Sequence, residues 1–512
     1  MTSVSRKRVA RALLTNIKKR REITLDAVSF AHLDGGLAND MSTDFGMTIN
    51  GVAAAGTGNA AFDVVNPATG DVFAQAPECS REQLDAAVDS ARAAFPAWRD
   101  RPIDERAALL NKAADALAAE AEDMARLFTK EQGRPVDQAL LEIQGAADWL
   151  RAIATVRPPV HVSEDSDTQF IETKYTPLGV ICAIAPWNFP ISLAVWKIAP
   201  ALLAGNTMVL KPSPFTPLCT LRMGELFRDV FPAGVLNVIT GGDDLGPWMT
   251  SHEGFDKISF TGSTATGKRV MESASKDLKR LTLELGGNDA AIVMPDVDLD
   301  EVAEKIFFGA FFNTAQICVA TKRLYVHEDV YDGLRDRLAA IAKATKMGDG
   351  SEQGTTMGPI QNKRQFDRVM NLLEDARAQD LTLIEASDIP DGEGYFIPIT
   401  IVDNPPEASR VVQEEAFGPI LPMLKFTDVD DVVARSNDSE YGLAGAVWSK
   451  DVDQAVEIAR KMQTGTVWIN QNLNLRPDTS FGGHKNSGFG VENGMEGLLE
   501  YMQPQAVYIA KG

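Results

Sequence analysis

The chain has 512 residues and a net charge of −21, from 50 Lys and Arg against 71 Asp and Glu. So acidic a chain repels phosphate backbones, which argues against a nucleic-acid partner, and no apolar run reaches the ~18 residues that would read as a membrane span. The four cysteines (Cys79, Cys182, Cys219, Cys318) form neither a CxxC pair nor a disulfide framework, and the five histidines lack metal-ligand spacing. The composition points to a reduced, cytoplasmic protein with no metal site, built from about three structural units.

Eight Lys and Arg fall within residues 1–21, before the first acid at Glu22. A targeting segment or a surface-binding basic helix has this pattern, and the Gly-, Ala- and Asp-rich stretch 33–59 reads as loop. Residues 1–47 are expected to be a poorly ordered extension. Apolar positions at helical spacing predict helices over 81–98 (Leu84, Val88, Ala91, Phe95) and 104–131 (Leu109, Leu110, Ala113, Leu117). Pro158 and Pro159 break the pattern, and the alternating, polar stretch 160–177 predicts an exposed hairpin.

From residue 178 short apolar strands alternate with helices. Strands are expected at 179–185, 207–210, 234–240 and 257–260. Helices are expected over 191–204 and 217–229, after 240, and from 264. This order predicts a mainly parallel, doubly wound sheet, with ligands bound beyond the carboxyl ends of its strands. No GxGxxG follows the first strand, so a dinucleotide would have to be held differently. A second α/β pattern follows a boundary near 285, with helices over 300–312, 328–345, 362–378 and 452–462 and a strand at 321–326.

Four segments suggest chemistry. Cys318 sits on the connection between a helix and a strand, where a thiol can meet substrate, although burial is the commoner fate of a free cysteine. Glu284 ends an apolar strand and is followed by Gly286 and Gly287, which permit close approach of a ligand or another backbone; a rim salt bridge is the alternative. Asn188 lies between Pro186 and Pro190, a stiffened loop suited either to an oxyanion donor or to capping the next helix. Gly262 and Ser263 lead a strand into a helix N-terminus, which favours a pyrophosphate or is simply a capped helix.

Taken in order, these segments resemble the aldehyde dehydrogenase superfamily from about Asp63 to the C-terminus. The motifs are PWNFP at 186–190, WKIAPALLAGNT at 196–207, KPS at 211–213, FTGS at 260–263, ELGG at 284–287, QxC at 316–318, EEAFGP at 414–419 and FGGxKxSGxG at 481–490. The resemblance implies an α/β fold of two doubly wound domains plus a small β oligomerisation element. The implied assignment is a cofactor domain over 48–159 and 178–285, a catalytic domain over 286–490, and an oligomerisation element over 160–177 and 491–512.

The implied reaction is NAD(P)+-dependent oxidation of an aldehyde to its acid. Cys318 would be the nucleophile, Glu284 the general base and Asn188 an oxyanion donor. Glu492 matches a position that relays the proton, or is an exposed acid. Lys211 and Ser213 match contacts to the adenosine ribose, Gly262 and Ser263 to the pyrophosphate, Trp187 to a position near the phosphates, and Glu415 and Phe417 to the nicotinamide side. Phe189, Leu193, Trp196, Ile317, Leu473, Leu475 and Phe481 match an aldehyde tunnel, whose apolar lining suits an uncharged aliphatic or aromatic substrate; Arg476 is the nearest cation for an ω-carboxylate. Two positions depart from the family: Pro214 stands where many NAD-preferring members have Glu, which leaves NAD+ against NADP+ open, and Ala315 stands where Gly is usual. The alternatives are a CoA-acylating enzyme, which Glu284 argues against, and an inactive scaffold, which the three intact site residues argue against. The apolar terminal strand 506–510 would be a sticky edge if exposed, so a homodimer or homotetramer is expected.

Overall fold

The computed structural model describes residues 45–511. The basic segment and nearly all of the expected extension over 1–47 lie outside the described residues. The first strand, Met47–Ile49, begins at the last residue given to that extension, with Met47 fully buried.

Five parallel strands form the middle of the first sheet, in the order Leu236–Val238, Thr207–Lys211, Val180–Ile184, Lys257–Thr261, Arg280–Glu284. The chain leaves Val180–Ile184 in one direction across the sheet and returns to the other side at Lys257–Thr261. That reversal makes a switch point, where ligands of doubly wound sheets bind. Antiparallel strands close both edges: Met47–Ile49 with Val52–Ala54 on one side, and Gly488–Phe489 beside Arg280–Glu284 on the other. The apolar Val180–Ile184 is buried almost throughout, as expected for a parallel strand covered on both faces.

The helix Arg81–Asp100 starts at a capping box, with Ser80 and Gln83 exchanging side-chain and backbone hydrogen bonds. The stretch expected as one helix over 104–131 is two, Ile103–Ala119 and Ala121–Gln132, separated at Glu120, whose backbone leaves the helical region (φ −101°, ψ 6°). A further helix, Val136–Ile153, follows the left-handed Gly133. The helix Pro190–Ala204 is buried on every side except at Ser192 and Leu193, which accounts for its nearly unbroken apolar sequence.

The second sheet has seven strands in the order Leu383–Glu385, Thr400–Asp403, Ile420–Phe426, Thr321–His327, Asp289–Val293, Ala444–Trp448, Thr466–Ile469. All neighbours are parallel except the first pair. Alternate residues of Asp289–Val293 face two different cores: Ala291 and Val293 one, Ala290 and Ile292 the other. A third, antiparallel sheet joins Met502–Ala510, Gln169–Pro177 and His161–Asp165, so the expected hairpin and terminal strand pair with each other. No helix among the described residues is long and apolar enough to cross a membrane.

Candidate active site

The first sheet presents its predicted residues at one edge. Trp187 and Asn188 follow Val180–Ile184, Lys211 ends its strand, Gly262 and Ser263 follow Lys257–Thr261, and Glu284 ends Arg280–Glu284. The second sheet contributes from the opposite, amino ends of its strands. Cys318 precedes Thr321–His327, and Glu415 and Phe417 precede Ile420–Phe426. The short link 285–288 carries the chain from one sheet to the other, and the site forms where these two edges meet.

Gly286 and Gly287 permit that meeting. A Cβ on Gly286 would stand 2.3 Å from Glu415 Oε2, and one on Gly287 would stand 2.8 Å from the Cys318 carbonyl oxygen. The Gly287 N–H donates to Glu415 Oε1 at 3.1 Å. Lys322 Nζ lies 3.5 Å from the same carboxylate and donates to the Cys318 carbonyl at 2.5 Å.

The cysteine loop is held in an unfavourable backbone conformation. Asn313, Thr314 and Ala315 all have left-handed φ, at 54°, 56° and 60°, which costs about 1–2 kcal/mol per non-glycine residue. Side-chain hydrogen bonds over-determine the loop. Gln316 Nε2 donates to Asn313 O (2.9 Å) and Pro359 O (3.3 Å), and Thr314 Oγ1 donates to Gly358 O at 2.8 Å. Ala315, where the resemblance leads one to expect Gly, occupies a position whose φ favours Gly.

Asn188 does not cap the following helix, whose N-cap is Phe189 without a side-chain hydrogen bond. Instead Asn188 Nδ2 donates to Gln316 O at 2.9 Å, two residues from Cys318. The loop around Asn188 is fixed by Arg134, which sequence reasoning missed. This guanidinium is buried, donates to Asn188 O (2.6 Å) and Asn313 Oδ1 (3.2 Å), and pairs with the buried Glu142 at 2.7 Å. Glu142 in turn accepts the N–H groups of Ile191 and Ser192 at 3.1 Å, so it satisfies the helix start that Asn188 leaves open. Arg134 also covers the Phe189 ring at 4.3 Å. One buried cation therefore ties together the Asn188 loop and the cysteine loop.

Glu284 is 4% exposed, and neither of its carboxylate oxygens has a hydrogen-bond partner among the described residues. Burial, reinforced by the Glu492 charge, holds its carboxyl well above the usual range. Cys318 is likewise pushed up to about 12 by burial, against the pull of Lys322. Both shifts favour the neutral form of the group. Glu492 is buried, not an exposed acid. Lys197 Nζ meets its Oε1 at 2.6 Å and also reaches Thr261 Oγ1 (2.8 Å) and Ser259 Oγ (3.2 Å). The Glu492 backbone exchanges two hydrogen bonds with Phe481, at 2.7 and 2.8 Å.

On the other flank, Trp187 and Phe417 meet edge to face with ring centroids 5.3 Å apart. Phe417 has a left-handed φ of 50°, supported by Gln365 Nε2, which donates to Ala416 O and Phe417 O at 2.9 and 3.1 Å. Ser263 caps the helix Thr264–Ser275, which leaves the two readings of Gly262 and Ser263 compatible. Lys211 is 5% exposed and its Nζ reaches one acceptor among the described residues, Pro212 O at 3.2 Å. Burial pushes its ammonium down to about 8, against the pull of Asp243 and Glu78.

All seven predicted tunnel residues fall in one apolar cluster that also packs against Cys318: Trp196, Ile317 and Phe481 buried, Phe189, Leu193, Leu473 and Leu475 half-buried at its margin. Trp149, missed in the sequence because its helix was not anticipated, stacks on Trp196 at 5.0 Å, and Trp196 meets Phe481 edge to face at 5.7 Å. Arg476 is exposed and paired with Asp478 at 2.6 Å.

A cysteine, a buried carboxyl group and an amide donor meet at the junction of two doubly wound sheets, the groups that covalent catalysis by an α/β enzyme requires. The model of the aldehyde dehydrogenase family matches residues 54–507. A probable aldehyde dehydrogenase of a Pseudomonas species is 44% identical over 446 residues, covering 87% of this chain and 91% of that protein. The NAD+ complex of an aldehyde dehydrogenase from Bacillus cereus superposes with a TM-score of 0.89 at 36% identity, covering 91% of this chain and 96% of that one. The NAD+ complex of betaine aldehyde dehydrogenase from Staphylococcus aureus gives 0.87 at 31% identity, with 91% and 94% covered. The chain belongs to the aldehyde dehydrogenase family and oxidises aldehydes.

Proposed function

We propose that this protein oxidises an uncharged aliphatic or aromatic aldehyde to its acid through a thioester on Cys318, with NAD+ as the hydride acceptor. The observation that supports this best is the convergence of Cys318, Asn188 and the unpartnered Glu284 beside an apolar cluster. A dinucleotide fits the residues present: the buried Lys211 ammonium has one acceptor among the described residues, Pro212 O, and so keeps unfilled donors. Lys211 and Ser213 would hold the adenosine ribose, Gly262, Ser263 and Trp187 the phosphates, and Glu415 and Phe417 the nicotinamide end. When bound, the coenzyme supplies the hydride acceptor.

Cys318 gives its thiol proton to solvent water, and the thiolate Sγ adds to the aldehyde carbon. The second N–H of Asn188 Nδ2 and the Cys318 backbone N–H stabilise the oxyanion. Loss of hydride from the thiohemiacetal leaves the thioester. Glu284, once deprotonated, takes a proton from water as the hydroxyl oxygen adds to the thioester carbonyl, and the thiolate departs with the acid. Glu492, paired with Lys197, receives the proton from Glu284. The test is NAD(P)H formation by purified protein on a panel of aldehydes with NAD+ and NADP+ in parallel. Turnover on apolar aldehydes supports the reading, and activity confined to ω-carboxylated aldehydes refutes its substrate class. Replacing Asn188 by Ala is expected to lower kcat about 10²–10³-fold with little change in coenzyme affinity.

We assign 48–159 and 178–285 to the coenzyme, 286–490 to the nucleophile and 160–177 with 491–512 to oligomerisation, except that Gly488–Phe489 pairs in the first sheet and Leu498, Tyr501 and Met502 pack in its core. Coenzyme preference is for NAD+. Pro214 removes the usual acidic residue, but the Asp243 and Glu78 carboxylates act on Lys211 and oppose a 2′-phosphate there. Replacing Asp243 by Asn is expected to shift the NADP+/NAD+ ratio of kcat/KM toward NADP+ by roughly tenfold, as one exposed charge interaction would.

The protein is a homodimer or homotetramer of the cytoplasm. Met502–Ala510 is an edge strand with Tyr508 and Ile509 exposed, a pairing surface of the kind subunits cover. Its four cysteines are all free. Asp at both Tyr508 and Ile509 is expected to lower the mass seen by light scattering. An unchanged mass would place the interface elsewhere.

A further inference from the structure

Gln361 belongs to none of the motifs and contacts none of the reacting groups, yet it is 2% exposed and every polar atom of its side chain is used. Its Nε2 donates to Glu131 O and Phe215 O, both at 2.9 Å, and its Oε1 accepts from Asn362 Nδ2 at 3.1 Å. Its backbone N–H donates to Gln316 Oε1 at 2.8 Å. Gln316 is the residue whose carbonyl receives Asn188 and whose amide braces the left-handed turn before Cys318.

At its other end Gln361 grips the segment that follows Lys211. Phe215 N donates to Ser213 Oγ at 3.2 Å and Thr216 N donates to Ser213 O at 3.2 Å, which makes one tight turn of Ser213 to Thr216. The Glu131 carboxylate accepts the N–H groups of Leu218 and Cys219 at 2.7 and 2.9 Å. Gln361 therefore holds the carbonyls of both Phe215 and Glu131, and this segment is fastened on both sides of the turn. Gln361, Glu131, Leu218 and Cys219 are buried, so a hydrogen bond lost among them is not replaced cheaply by water, while the Phe215 end of the clasp reaches the surface.

We propose that Gln361 is a positioning residue that couples the coenzyme segment 211–217 to the nucleophile loop 313–318, so that a dinucleotide at Lys211 and Ser213 changes how readily Cys318 reacts. This rests on the reading of Lys211 and Ser213 as coenzyme contacts and of Cys318 as nucleophile. The mechanism is displacement: movement of the Phe215 carbonyl must be followed by Gln361, and the Gln361 backbone carries it to Gln316.

The substitution Gln361→Met separates the two ends. It keeps the side-chain length and the backbone hydrogen bond to Gln316, and removes both donors to the coenzyme segment. The quantities measured are the rate of Cys318 alkylation by iodoacetamide with and without saturating NAD+, the NAD+ Kd from tryptophan fluorescence, and Tm. The wild-type protein is expected to show an NAD+-dependent change in alkylation rate of about fivefold or more. In Gln361→Met that ratio falls to within about twofold of one, while NAD+ still binds. A purely structural role would lower Tm and leave the ratio unchanged, and that result overturns the proposal, as does a wild-type ratio of one. Absence of NAD+ binding by the wild type, or labelling of a cysteine other than Cys318 on peptide mapping, overturns the underlying functional reading and the proposal with it. Should Gln361→Met fail to fold, hydrogen exchange on the wild type decides: NAD+ protection is expected in 211–219, 313–318 and around 361, and protection confined to 211–219 overturns the coupling.

Discussion

Replacing Cys318 with Ala is expected to lower aldehyde oxidation by at least ~10⁴-fold, since no other residue can form the acyl intermediate, while NAD+ binding measured by fluorescence stays within a few-fold of wild type. Cys79, Cys182 and Cys219 are buried on elements other than the cysteine loop, so they cannot substitute. The free enzyme also has a pH signature. Burial pushes the Cys318 thiol up to about 12, so the thiolate fraction is small at pH 7 and rises tenfold per unit below that value. Alkylation of the coenzyme-free protein should therefore climb steadily between pH 7 and 10. A plateau below pH 8 would show a thiolate already stabilised, and would contradict the neutral resting site.

Glu284→Gln is expected to separate the two halves of the reaction. The amide fills nearly the same space but accepts no proton, so steady-state hydrolysis should fall about 10²–10⁴-fold. Hydride transfer precedes that step, so a burst of one reduced coenzyme per active site should remain, and hydroxylamine should release the trapped acyl group. The same variant tests the CoA-acylating alternative. Retention of full turnover with CoA present, with acyl-CoA as product, would assign the acyl acceptor to a thiol rather than water. Loss of the burst itself would instead give Glu284 a part in activating Cys318.

Much of this site was legible because its residues lie at strand ends. Asn188, Gly262 and Glu284 each follow an apolar run of the first sheet, and such a run marks the edge where doubly wound sheets bind ligands, whereas Lys211 was expected only from the family resemblance. What escaped was the support behind them. Arg134 and Glu142 are charges in a helical region, which a sequence presents as surface residues; only the fold shows that each neutralises the other in the interior. The helix Val136–Ile153, which carries Glu142 and follows Arg134, was itself readable from Ala139, Ile143, Ala146 and Leu150, but Gly133 and Pro135 masked its start. The strands Asp289–Val293, Ile420–Phe426 and Ala444–Trp448 were missed because strands buried on both faces lose the period-two alternation. Gln361 had no signal at all, since a buried glutamine is recognised by the carbonyls it meets and not by its neighbours in the chain.

The arrangement of the site across two sheets also sets the order of events when the chain folds. The first sheet has its own apolar core, and the second has two more on its faces, so each can collapse separately. The turn at Asn313 to Ala315 is braced from its own half by Gln316 and Thr314 and also across the junction. Its strain is opposed by Arg134, which comes from the other side of the junction. The brace of the nucleophile loop is thus completed only after both sheets exist and have docked. In a refolding experiment, recovered helicity would then run ahead of recovered activity, and the lag between them would time the docking.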